Sequence, residues 1–375
     1  MKVVSVDAFP LAYPEPHYKG MERYVTLARI ETDDGLVGWG ECISQFREAS
    51  IATKLIIEQG FAPLLIEEDP RDVERLWRKL LEHVWWYGPE GIAAFAISAV
   101  DVALWDVKGK ALALPVCRLL GSAIQKRVAA MGSIVFDMED LDWTLGEFAW
   151  MREQGYRIVK GGWGMRPEAV FGQDRDRDLQ LVRSIRETIG DRLELVVDTP
   201  GVWDIWDVPT AIQRFRDLEP FRLKWIEQPL LPRNLDGHAR LRRAVSTAIG
   251  TGEDEWDVES YARLIAAEAV DVVQMDPGRC HGITGCRAVI ALIEAANLTW
   301  SAHTWSSALN TAASAHLLSI SRSGLCLDLK PHESPLQHEL VSDPWVQEDG
   351  YLAIRDAPGL GVTVRDDVVQ KYLLS

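Results

Sequence analysis

Positive charge is scarce in this chain: 40 Lys+Arg stand against 56 Asp+Glu, a formal net charge of −16 at pH 7. Such a balance repels phosphate backbones, and no basic stripe gathers the opposite potential, so no nucleic-acid partner is expected. Paired cysteines are missing too. Cys42, Cys117, Cys280, Cys286 and Cys326 are odd in number and form no CxxC, which argues against a disulfide framework or a structural zinc site and for a reducing cytoplasm. No apolar run reaches membrane-spanning length: the most apolar stretch, Gly91 to Val100, is ended by Asp101, and Met1 to Asp7 lacks the core of a signal peptide. Neither export nor membrane anchoring is expected. A glycine-rich phosphate loop is absent as well, which weighs against an open doubly wound sheet.

What is present suits a large soluble fold. At 375 residues, with 47% hydrophobic and 26% charged, the chain should hold two domains or one barrel with a smaller partner. Fifteen tryptophans are expected mostly in packing, a minority walling a pocket. The first part alternates as strands over Val3 to Phe9, Tyr24 to Thr32 and Leu36 to Glu41, an antiparallel meander turned at Asp33-Asp34-Gly35. The prolines and glycine of 12–20 predict a mobile loop there. From about Glu48 to Leu120 the spacing turns helical, so strands followed by helices make a small α+β unit over residues 1–125. Beyond it, short apolar strands alternate with amphipathic helices: Val128 to Ser133, Ile158 to Lys160, Leu193 to Asp198, Leu223 to Glu227, Ala248 to Gly252, Val270 to Asp276, Thr299 to His303 and Leu325 to Leu329. Eight such units over 126–345 are what a TIM-type α/β barrel needs.

Several of these strands end in an ionisable residue: Lys160, Asp198, Glu227, Glu253, Asp276, His303 and Asp328. From Asp198 onward the gaps are 29, 26, 23, 27 and 25 residues, each close to one βα repeat, so the side chains converge at the barrel mouth where such folds place catalysis. Any one acid alone would be read as a helix cap or a partner for a helix lysine. Three adjacent acids, Asp198, Glu227 and Glu253, would repel one another unless a hard cation lay between them, and an all-oxygen set without Cys or clustered His favours Mg²⁺.

At these residues the sequence resembles the mandelate racemase and muconate lactonizing enzyme group of the enolase superfamily. The likeness runs through Asp34-Gly35-Leu36-Val37-Gly38-Trp39-Gly40-Glu41, through Ala99 to Lys110 and Leu119-Leu120-Gly121, and through Trp225-Ile226-Glu227-Gln228-Pro229, Gly252-Glu253 and His281-Gly282-Ile283-Thr284. The resemblance implies an α+β capping domain, its lid completed by residues 345–375, over a modified (β/α)7β barrel. It also implies Mg²⁺ on Asp198, Glu227 and Glu253, and a base that removes the proton α to a carboxylate while the metal stabilises the enediolate. His303 with Asp276 matches the family's dyad, Asp328 a family Glu that hydrogen-bonds substrate, and Lys160 the first lysine of a Lys-x-Lys pair. Homo-oligomers from dimer to octamer are implied.

Two departures matter. Gly162 stands where the second lysine would be, and Thr199-Pro200 replaces a frequent x-Asn. Racemisation needs a base on each face of the planar intermediate, whereas β-elimination can use one residue twice. Dehydration of a sugar acid to a 2-keto-3-deoxy acid is therefore the expected reaction, with cycloisomerisation, then racemisation or epimerisation, and a catalytically silent sugar-acid-binding barrel as alternatives. Substrate contacts are expected from 13–19 and 44–47, with His17, Lys19 and Arg47 as candidates, from Trp305, and from a wall at Trp85 to Tyr87. His281, His316 and His338 are read as core histidines.

Overall fold

The computed structural model describes residues 1–166 and 168–374. The chain opens with an antiparallel sheet of β1 (Val3–Glu15), β2 (Met21–Thr32) and β3 (Val37–Cys42), in that order. Where a loose loop was predicted, β1 instead runs through Pro10 and Pro14 to Glu15, which pairs with Met21. β1 is an edge strand, so prolines that cannot donate cost it no ladder bond. Only residues 16–20 leave the sheet, Pro16–Tyr18 of them as a single 3₁₀ turn.

β3 lies against helix Ile92–Ala111 so closely that a Cβ on Gly40 would stand 2.0 Å from the Ala99 carbonyl oxygen. This helix is buried on nearly every side, which is why its sequence is apolar all round and not striped. Its Asp101, with Glu41 of β3, ties cap to barrel. Asp101 accepts the Thr284 N–H (2.9 Å) and hydroxyl (2.6 Å) at the start of helix Gly282–Ala295. Glu41 accepts the Ser307 N–H (3.2 Å) and hydroxyl at the start of helix Ala308–Ile320. Carboxylates placed there satisfy orphan helix donors and sit at the positive end of the dipole. Asp106 accepts from the backbone N–H groups of Trp39 and Leu360, both at 2.9 Å.

The barrel comprises β4 (Arg127–Val135), β5 (Ile158–Gly162), β6 (Glu194–Asp198), β7 (Trp225–Glu227), β8 (Ile249–Thr251), β9 (Val272–Met275), β10 (Thr299–Ala302) and β11 (Gly324–Leu329). All eight are parallel and each pairs with the next, and β11 pairs back onto β4, closing the ring. Every sequence-predicted barrel strand is present, its ends within two residues of those predicted. A helix follows each of the first seven strands, the (β/α)7β arrangement, and β12 (Tyr351–Ala353) adds antiparallel to the start of β4. The chain then returns to the cap: helix Asp366–Tyr372 packs on β1, and the Leu374 N–H donates to the Pro10 carbonyl at 2.8 Å. Among the described residues no helix is long and apolar enough to cross a membrane.

Candidate active site

Alternation along parallel strands points every second side chain inward, and the last inward residue of each strand faces the barrel mouth. Lys160 on β5, Asp198 at the end of β6, Glu253 just past β8, Asp276 and His303 just past β9 and β10, and Asp328 on β11 thus line one cavity of about 360 Å³, roofed by cap residues including Tyr18, Arg23 and Phe46. Glu227, at the end of β7, lies fully buried behind them. The carboxylate oxygens of Asp198, Glu227 and Glu253 lie within 4.8 Å of one another.

Lys160 is set among these acids, its Nζ donating to Glu227 Oε1 (2.8 Å) and Asp328 Oδ2 (3.0 Å), with Asp198 Oδ2 at 3.4 Å. Burial alone would lower its pKa, but the charges of Asp328, Glu227 and Asp198 hold it well above the usual lysine range. Glu227 is held below the carboxylate range: burial opposes this, but the Lys160 ammonium and the Trp225 indole N–H (3.0 Å) prevail. Burial and the neighbouring Glu227 push Asp198 up despite Lys160. Glu253 rises to about 8 through burial, with His303 opposing and Glu227 reinforcing. The acids outnumber the one lysine set among them, and Glu253 Oε2 is a buried oxygen with no hydrogen-bond partner. An all-oxygen set with an orphaned carboxylate oxygen suits a hard divalent cation such as Mg²⁺.

His303 Nδ1 lies 2.7 Å from Asp276 Oδ2; a carboxylate only accepts, so the Nδ1 proton faces Asp276 and Nε2 is left for chemistry. Asp276 is itself fixed by the Gly278 N–H (2.7 Å) and Asn310 Nδ2 (3.0 Å). Burial would depress the imidazole, but the charge of Glu253 and the Asp276 bond raise it to about 10.

On the β5 side the missing lysine is not merely absent. A Cβ on Gly162 would lie 2.0 Å from the Asp198 carbonyl oxygen and 2.5 Å from Asp198 Cβ, so the strands close where a second base would need to emerge. Trp163 takes that wall of the cavity, its indole N–H on Asp198 Oδ1 (3.1 Å) and its ring edge-on to Trp203. Thr199, which replaces part of the x-Asn pattern, turns its hydroxyl to the carbonyls of Glu227 (2.9 Å) and Gln228 (2.6 Å).

The other expected contacts divide. Trp305 lines the cavity and donates to the Ser133 carbonyl at 3.3 Å. His17 is buried against His332 and Trp305, Lys19 pairs with Asp137, and Arg47 bonds Tyr24; none of the three is among the lining residues. The aromatics Trp85, Trp86 and Tyr87 form no wall: they are 72%, 80% and 55% exposed. His281 and His316 are buried as expected and His338 is half-buried. Sequence reasoning passed over Arg23, whose signal was its phase: it alternates with the buried Val25 and Leu27 on the inward face of β2. It also passed over Trp225 and Gln274, whose side chains donate to Glu227 Oε2 at 3.0 and 2.8 Å.

A closed barrel with a strand-and-helix cap and three carboxylates at its mouth defines an enolase-superfamily fold. Residues 16–121 match the mandelate racemase / muconate lactonizing enzyme N-terminal domain and residues 144–368 the enolase C-terminal domain-like family, and the chain belongs to this family. The L-talarate/galactarate dehydratase of Salmonella typhimurium is 31% identical over 97% of this chain and 88% of its own length. The D-galactarolactone cycloisomerase of Agrobacterium fabrum is 26% identical over 92% and 90%. Among solved structures, a racemase from Streptomyces coelicolor with bound magnesium superposes with a TM-score of 0.88 at 26% identity, over 99% of this chain and 100% of that one.

Proposed function

We propose that the protein is a Mg²⁺-dependent hydro-lyase that removes the proton α to the carboxylate of a sugar acid and expels the β-hydroxyl as water, leaving an enol that tautomerises to a 2-keto-3-deoxy acid. The one-sidedness of the pocket carries this reading: His303 offers Nε2 from one side, while Gly162 is sealed by Asp198 on the other. A single base can take the α-proton and return it to the departing hydroxyl, but it cannot serve both faces of a planar carbon. Asp198, Glu227 and Glu253 hold the cation, which when bound would polarise the substrate carboxylate and offset the charge gathering on its oxygens. Lys160, itself anchored on Asp328 at 3.0 Å, fixes that carboxylate end, Asp328 faces the substrate hydroxyls, and Trp305 walls the pocket. The Glu253 charge and the Asp276 bond raise His303; a cation held on Glu253 would counter the first and bring the imidazole toward the range in which it accepts a proton. His17 and Lys19 act through the loop they brace.

Likeness to a cycloisomerase favours a second reading, the same proton transfer with an internal oxygen as nucleophile or leaving group. The protein is placed in the cytoplasm as a homo-oligomer between dimer and octamer. Incubation with Mg²⁺ and a panel of sugar acids, scored for 2-keto acids with semicarbazide, should yield a hit that His303→Asn abolishes while Mg²⁺ still stabilises the variant. Near-wild-type dehydration by His303→Asn with the metal site intact would sink the assignment. Deuterium uptake at the α-carbon without keto-acid formation would move it to cycloisomerase, and binding without exchange to a silent barrel.

A further inference from the structure

Arg23 stands apart from the other cations of the cavity. Lys160 is committed to Glu227 and Asp328. His303 is bound to Asp276. Arg279 lies flat on the Trp256 ring, 3.6 Å from its centroid, and donates to the Asp254 carbonyl at 3.0 Å. Arg23 is only 8% exposed and lines the cavity from β2, yet no carboxylate among the described residues forms an ion pair with it. Its guanidinium sits over the rings of Trp305 (5.1 Å) and Tyr18 (5.4 Å). Glu15, the acid on the adjoining strand, is held by Lys330 at 2.5 Å.

A guanidinium taken out of water without an anionic partner is costly, and its fixed fork of donors matches a carboxylate two bonds at a time. The acids and Lys160 occupy the floor of the cavity, and Arg23 belongs to the cap that roofs it. A sugar acid whose first carboxylate lies on the floor therefore turns its far end toward Arg23.

We propose that Arg23 is the receptor for a second, distal carboxylate, so that the substrate class is the dicarboxylic sugar acids and not their monoacid counterparts. A terminal phosphate is disfavoured because a single guanidinium faces this end, with no second uncommitted cation beside it. The cavity of about 360 Å³ lies at the small-molecule end of ligand sites. This inference rests on the reading above, in which the reacting carboxylate sits on the metal-binding floor.

The test separates binding from turnover. Affinities of the Mg²⁺-loaded protein are measured by calorimetry for hexarate and hexonate pairs that differ only at the terminal carbon, with a 6-phosphohexonate as third ligand, and keto-acid formation is read on the same samples. The wild type should favour the diacid by roughly ten- to hundredfold, the range of a charge-assisted bond. Arg23→Met should collapse that ratio and Arg23→Lys restore part of it. A diacid preference that depends on Arg23 upholds the inference even if nothing is turned over, in which case the proposed reaction fails alone. Turnover of monoacids with no diacid preference in the wild type overturns the inference and leaves the reaction standing, with no need for a folded variant. Preference for the phosphorylated ligand, or no binding of any sugar acid, also overturns it.

Discussion

Replacing Lys160 by methionine isolates the electrostatics of the barrel mouth. In the metal-free protein the Lys160 ammonium is the cation among Asp198, Glu227 and Asp328, at 3.4, 2.8 and 3.0 Å, and its side chain is 5% exposed. Methionine fills a similar volume, so the loss is chiefly that of charge, and removing one partner of a buried ion pair costs about 3–5 kcal/mol. For a domain of this size each kcal/mol lowers the melting temperature by about 2–4 °C, so Lys160→Met in EDTA should melt roughly 6–20 °C below the wild type. Lys160 also competes for Asp198 and Glu227, both in the candidate metal cluster. Saturating Mg²⁺ should therefore raise the variant's melting temperature more than the wild type's, because a cation binding only the folded state stabilises by mass action, about 2.7 kcal/mol at a hundredfold excess over Kd. Differential scanning calorimetry with and without EDTA reads both effects. If the variant melts within about 2 °C of wild type in EDTA, or gains no more than wild type from Mg²⁺, the account of an acid cluster shared between lysine and metal is wrong.

Three further outcomes follow from the same geometry. Gly162→Ala forces a Cβ against Asp198 backbone atoms; it should cost about 1–3 kcal/mol as overpacking and erase Mg²⁺-dependent stabilisation, and an alanine variant that keeps its metal response would show that the strands yield. Burial holds His17 and His316 at about 4, below the ordinary 6.5, with Glu15 opposing at His17. The unfolded chain thus binds protons that the folded one refuses, so this stability is whole above about pH 6.5 and falls by about 2 kcal/mol per histidine by pH 5; urea titrations should show His316→Gln losing less over that range. Lys330 and Glu15 form a fully buried pair at 2.5 Å between barrel and cap, so Lys330→Met should cost about 3–5 kcal/mol, and adding Glu15→Gln should recover part of it.

The barrel was legible because each βα unit repeats a short apolar run and closes on a polar residue, and that periodicity survives at any sequence distance. Spacing put Asp276 and His303 at the ends of successive strands, and the family resemblance paired them. The cap's loop was misjudged because proline is a strong local breaker, and nothing local reveals that β1 is an edge where proline is tolerated. Substrate contacts were sought at His17 and Lys19 of that loop and at Arg47 of the segment 44–47, but each finds a partner within the protein. Arg23 was overlooked because its meaning lies in a partner it lacks, which only the fold displays. The absence of lysine at 162 was legible; its closure by Asp198 depends on strand spacing and was not.

The return of helix Asp366–Tyr372 to β1 has a consequence for the order of assembly. Leu11 on β1 is fully buried and bridged to Leu373, so part of the cap's surface waits for a segment made 373 − 11 = 362 residues later. At about 5–20 residues per second, that interval is roughly 18–72 s. During it the barrel's strands appear one after another beneath an unfinished roof, and the nascent chain carries a bare apolar edge that only its own tail covers.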